Sequence, residues 1–218
     1  MQIDWAATGN WMQAWAGFAQ AGAIVFVAYK GSDAFNIWRK QAIAGRRLDT
    51  AEHILDVVYR VRRSLKHVRE GYMGNAELIR AETHLKLEQS DWFDELNGQA
   101  RQRAISGQVA LNRLADDQRE WDELWAVMPK ARSFFGSSLE VQLQNLWRQR
   151  GTVAAAAQVR AAYSILEEDV AAKLGRALWT GYGTAGGAKN EVDEDTAEAC
   201  HEIERVLRPL LFDGNSIS

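Results

Sequence analysis

From Trp5 to Tyr29 the chain runs for twenty-five residues without one charged side chain, and Lys30 follows at once. No other feature constrains the fold as tightly, because a helix buried in a soluble core is seldom apolar for more than about 10–14 residues. Trp11 to Tyr29 is 19 residues, or about 28 Å of helix against roughly 30 Å of bilayer hydrocarbon. Trp5, Trp11 and Trp15 gather at one end and Tyr29 and Trp38 flank the other, where amphipathic rings settle at a membrane surface. A cleaved secretory leader fits poorly. Asp4 is the only charge ahead of the apolar run, and no small-x-small cleavage site follows it. Residues 1–30 therefore read as one retained transmembrane helix with a short N-terminus.

Charge gives that helix a direction. Between Lys30 and Glu70 ten Lys/Arg face five acids, a net of +5, while residues 71–218 hold sixteen bases against twenty-three acids, a net of −7. With Asp4 these make the overall −3. The positive-inside rule places the basic exit and the body in the cytoplasm and the N-terminus outside an inner membrane. The single cysteine, Cys200, has no partner for an intrachain disulfide, in keeping with a reducing compartment. The organisation expected is a span over 1–30, a basic juxtamembrane connector over 31–47, a cytoplasmic helical bundle over 48–212 and a flexible tail over 213–218.

The span is not uniformly greasy. Asn10, Gln13, Gly17 and Gln20 fall at i, i+3, i+7 and i+10, along one helical stripe. Amides and glycine on one face in lipid call for partners, since close backbone approach and interhelical hydrogen bonds drive association there. This predicts a homo-oligomer joined through that face, with a polar-lined pore as the sharper version. The alternative is a soluble helical oligomer that uses residues 11–29 as its core. On the exit side Lys30, Arg39, Lys40, Arg46, Arg47, Arg62 and Arg63, together with Arg60, Lys66 and Arg69, suit anionic lipid headgroups, at about 1 kcal/mol for each charge near the surface.

The remainder reads as all-α, a bundle of long helices with coiled-coil-like packing. Only Pro129 and Pro209 occur, and no stretch alternates as a half-buried strand does. Asp49 with Glu52, Ser137 with Glu140 and Asp195 with Glu198 have capping-box spacing, marking helix starts. Ile54, Val58, Val61, Leu65 and Val68 form an apolar stripe opposite the arginines. Further helices are expected over about 75–89, over 90–128 with weak points at Gly98 and Gly107, from Ser138 through the alanines at 154–157 towards Trp179, and over 196–211. Pro129 and Gly136 should break the pattern. The small residues around Ala154 imply a close helix crossing.

Catalytic patterns are thin. His201-Glu202 starts like a zinc-protease helix, but Arg205 stands where the second histidine is required. Gly181, Gly183, Gly186 and Gly187 lead to Lys189 without the Gly-Lys-Ser/Thr of a phosphate loop. No metal ligand set and no cofactor motif emerges. Nucleic-acid binding is disfavoured, since Tyr59 is the only aromatic near the basic patch. Arg62 and His67 do make an Arg-x4-His spacing similar to the short motif of the HEPN ribonucleases, all-helical proteins that act on RNA at a dimer interface. That resemblance covers two residues. It implies Arg62 stabilising phosphate charge and His67 moving a proton. In layout, DWAATGNWMQAWAGFAQAGAIVFVAYK and LQNLWRQRGTVAAAAQVRAAY resemble uncharacterised bacterial membrane-anchored helical proteins, which brings an architecture and no activity. The function expected is that of a self-associating membrane scaffold or membrane-perturbing effector, its partners being itself, anionic lipids and an unidentified cytoplasmic protein. A HEPN-like ribonuclease is the alternative.

Overall fold

The computed structural model describes residues 5–163, 166–182 and 189–212; within the first 34 residues it describes side chains only at 18, 20, 22–27, 29 and 30. The expected tail over 213–218 lies outside the described residues. Eight helices and no strand occur among those that are described. Helix α1 spans Trp5–Val68, 64 residues without interruption. Residues 31–47, expected as a connector, are thus helical, and Asp49 is not a helix start. With no proline near, Gly45 is tolerated at a cost of about 1 kcal/mol relative to alanine, and the chain has no reason to break there.

The molecule divides into two compact units, Met1–Leu48 and Asp49–Ser218, the boundary falling inside α1. In the first unit Phe18, Ile24, Val25, Phe26, Val27, Tyr29, Phe35, Ile37, Trp38 and Ile43 are all exposed. Among the described residues, however, no helix is long and apolar enough to cross a membrane. Of the expected span over Trp11–Tyr29, the side chains at 11–17, 19, 21 and 28 lie outside the described residues.

In the second unit the predicted stripe of α1 is the spine of the core: Ile54, Val58, Val61, Leu65 and Val68 are all buried. Around it lie α2 (Asn75–Glu88), α3 (Ser90–Asp94), α4 (Gly98–Asp116), α5 (Gln118–Phe135), α6 (Ser137–Ala162), α7 (Glu168–Leu178) and α8 (Glu191–Phe212). Helix α6 packs against α4, α5, α7 and α8, while α2 packs on α4. Trp121, Leu124, Leu143, Leu146, Ile203 and Leu207 complete the main core. A smaller cluster of Leu85, Phe93 and Ala104 sits under the α2–α4 region.

Several breaks fall elsewhere than the sequence suggests. The 90–128 stretch is three helices, and the second interruption comes at Asp117 rather than Gly107. Pro129 lies inside α5, on an exposed side where water can take the freed carbonyl, while buried Val127, Met128 and Ala131 hold the helix on course. The stop is Gly136, whose φ of +92° is a conformation that only glycine adopts without strain. Ser137 begins α6 without a side-chain cap, and Asp195 lies within α8, which starts at Glu191. The acidic Glu191, Asp193 and Glu194 form its first turn, where the positive end of the helix dipole favours them.

The alanine-rich crossing is real and close. A Cβ added to Gly107 would lie 2.8 Å from both the Ala157 carbonyl oxygen and the Ala161 backbone nitrogen. Gly107 therefore sets the spacing of α4 and α6, and no larger residue fits between these backbones as they stand.

Candidate functional site

Two buried arginines tie the helical body together, and both consume their donors internally. Arg113 on α4 is 5% exposed. Its guanidinium donates to the carbonyls of His67, Glu70 and Tyr72 at 2.8–3.1 Å, closing the C-terminal end of α1, and forms a two-pronged pair with Glu77 at 2.7 and 2.8 Å. The Arg113 hydrogen bond leads in holding the Glu77 carboxyl down to about 2, from an ordinary 4.5. Arg69, expected to reach lipid headgroups, is instead 2% exposed. It donates to the carbonyls of Ala177 and Arg176 at 2.9 and 3.0 Å, to Asn190 Oδ1 at 2.8 Å and to Asp193. A position one turn past the arginine face of α1 thus becomes the pin joining the end of α7 to the start of α8. Nothing in a basic run distinguishes such an arginine: Arg62 and Lys66 likewise follow core residues, Val61 and Leu65, yet are exposed.

The lipid-contact candidates Lys30, Arg39, Lys40, Arg46, Arg47, Arg62 and Arg63 are all exposed. Of the expected association face, Gln20 is exposed, whereas the side chains of Asn10, Gln13 and Gly17 lie outside the described residues. Arg62 and His67 do not share a described cleft. Arg62 lines one of about 320 Å³ with Leu65, Lys66, Thr180 and Asp193. His67 lines another, of about 250 Å³, with Arg60, Arg63, Asp117 and Glu120, and its Nδ1 lies 3.9 Å from the Glu70 carboxylate. Five residues turn a helix through about 500°, so the two side chains leave α1 some 140° apart.

Cys200 is buried and His201 exposed, so the adjacent pair points to different surroundings. Burial pushes the thiol up to about 11, from 9.0. No His, Cys, Asp and Glu cluster that could hold a metal ion occurs among the described residues. A larger cleft, about 720 Å³, opens between α2, α4 and α6, with Arg103 and Arg160 in its lining. The sequence reading passed over these two; the lone cation Arg160, following the alanines that pack on α4, is the signal that could have found the site. Comparison with family models, with curated proteins and with solved structures gave no match.

Proposed function

We propose that the protein is a self-associating, membrane-attached helical protein, in which the N-terminal part of α1 is the attachment and assembly element and the helical body is a binding module on the cytoplasmic side. One observation carries the reading: six consecutive residues, Gly22 to Val27, are all exposed, and four of them are Ile24, Val25, Phe26 and Val27. At about 100° per residue, six positions take in the whole circumference of a helix. A helix apolar all round is covered either by lipid or by the core of an assembly.

Self-association follows from the dilution of the same stretch. Gln13 and Gln20 are costly for a lone helix in lipid, whereas copies meeting along Asn10, Gln13, Gly17 and Gln20 would shelter the amides, carry Ile24 and Val27 in the same seam, and leave Val25 and Phe26 to lipid. Exposed Lys30, Arg39, Lys40, Arg46 and Arg47 suit an anionic surface just beyond. The ribonuclease alternative has no comparable support, Arg62 and His67 lining separate clefts.

The test is oxidative cross-linking in native membranes, in a full-length Cys200→Ser background carrying either Gln20→Cys or Val25→Cys. These positions lie about 140° apart on the helix. The proposal expects disulfide-linked dimers at position 20 and few at 25. Equal cross-linking at both, in a membrane-free fraction, would replace it with a soluble oligomer core; no cross-linking at either would remove assembly altogether.

A further inference from the structure

The cleft between α2, α4 and α6 lies wholly within the helical body and is independent of how α1 is attached. Its position follows from the close crossing at Gly107, which brings Arg160 of α6 beside Ser106 of α4. Ser106 Oγ donates to the Arg103 carbonyl at 2.9 Å and so presents a lone pair, which accepts from Arg160 Nε at 3.0 Å. That bond, with Trp179 lying under the guanidinium at 6.0 Å, fixes the plane of the fork. Neither terminal nitrogen of Arg160 has a hydrogen-bond acceptor among the described residues, in contrast to Arg69 and Arg113, whose terminal nitrogens are all engaged.

Arg103 and Arg160 both line the cleft, and burial pushes Arg160 down from its ordinary value, Tyr182 opposing the shift and the Arg103 charge adding to it. Among the described residues Glu82 is the only carboxylate in the lining, and it is already engaged by Arg101 at 2.7 Å and Lys86 at 3.0 Å. A half-buried guanidinium with open donors, next to a second one, attracts a planar or tetrahedral oxyanion and can bind it through two parallel N–H groups. The opposite wall is apolar: Met73, Leu78, Ile79 and Ile105. At about 720 Å³ the space is of the size that holds small organic ligands.

We propose that this cleft binds an amphiphilic anion, a phosphate or carboxylate head on a short apolar body, with the head on the open nitrogens of Arg160 near Arg103 and the body along Ile79 and Leu78. Two sources share this chemistry, a soluble metabolite and the headgroup region of a phospholipid, and the experiment separates them.

Isothermal titration of the full-length protein in neutral detergent would use hexyl phosphate, hexanoate, inorganic phosphate and hexanol. Binding of hexyl phosphate or hexanoate at a stoichiometry of one is expected, tighter than inorganic phosphate, with hexanol inert. Arg160→Gln should weaken it on the order of tenfold to a hundredfold, the worth of a charge-assisted hydrogen bond. Should that variant unfold early, Ile79→Glu serves instead: the side chain is exposed, so folding is spared, and a carboxylate at the apolar wall should abolish binding. Flotation with phosphatidate vesicles then assigns the source. Dependence of flotation on Arg160 in a variant lacking residues 1–29 indicates a lipid head, and titration without such dependence indicates a soluble ligand. No heat from either amphiphile up to millimolar concentration, or equal affinity in folded Arg160→Gln and Ile79→Glu, would overturn the proposal.

Discussion

Replacing Gly107 by alanine should destabilise the helical body, against the usual sign for a glycine inside a helix. In an open helix interior the change gains about 1 kcal/mol from propensity and the unfolded chain's lost freedom. Here the new methyl would meet the Ala157 oxygen and the Ala161 nitrogen at 2.8 Å, and the Ala161 Cα at 3.2 Å. All three are backbone atoms of α6, so relief requires shifting one helix from the other by roughly half an ångström through a core packed at crystal-like density. Overpacking of this kind costs about 1–3 kcal/mol, leaving a net loss of up to about 2 kcal/mol after the propensity gain. For a body of this size that lowers Tm by up to about 8 °C. Gly151→Ala is the internal control: Gly151 lies in α6 with nothing within 4 Å of an added Cβ, so Tm should rise by about 1–4 °C. Calorimetry of the two variants beside the parent decides the matter by sign. A rise in both would refute the close crossing.

Other outcomes follow from the buried polar groups. Glu77 is ionised in the folded state down to about pH 2, against 4.5 ordinarily, so its contribution is complete above about pH 4.5 and fades as pH falls towards 2. The full shift corresponds to about 3.4 kcal/mol, and with Glu77 a third exposed the usable share is about 1–2 kcal/mol; urea midpoints between pH 5 and 2.5 should fall less in Glu77→Gln than in the parent. Arg69→Met strands the Asn190 and Asp193 side chains and the carbonyls of Arg176 and Ala177, and should cost about 3–5 kcal/mol by urea denaturation; a loss below about 1 kcal/mol would mean that the pin is dispensable. Cys200, buried with its thiol at about 11, should react with a thiol reagent at pH 8 only on unfolding, and rapid labelling of the native protein would contradict its placement.

What the sequence made legible was periodic. The stripe from Ile54 to Val68 and the α2 helix follow from apolar spacing alone, because only one side of each helix can be buried. Capping-box spacing misled at Asp49, where acid three residues after an aspartate is simply a solvated face of a continuing helix. Glycine and proline were read by type rather than by environment: Gly107 is a contact, Pro129 a tolerated interruption and Gly136 the true stop. The roles of Arg69, Arg113 and Arg160 depend on which carbonyls and hydroxyls the tertiary packing brings within 3 Å, and no spacing rule encodes that. The alanines at 154–157 did point to the α4–α6 crossing, and the cleft lies at its edge.

Membrane attachment is tested by alkaline carbonate extraction of membranes from cells expressing the full-length chain, beside a variant lacking residues 1–29. The full-length protein should stay in the pellet, and the shortened one, keeping the core from Ala51 onward, should be recovered folded in the supernatant. Release of the full-length protein into the supernatant would contradict membrane attachment and leave the exposed apolar run of α1 to the core of a soluble assembly.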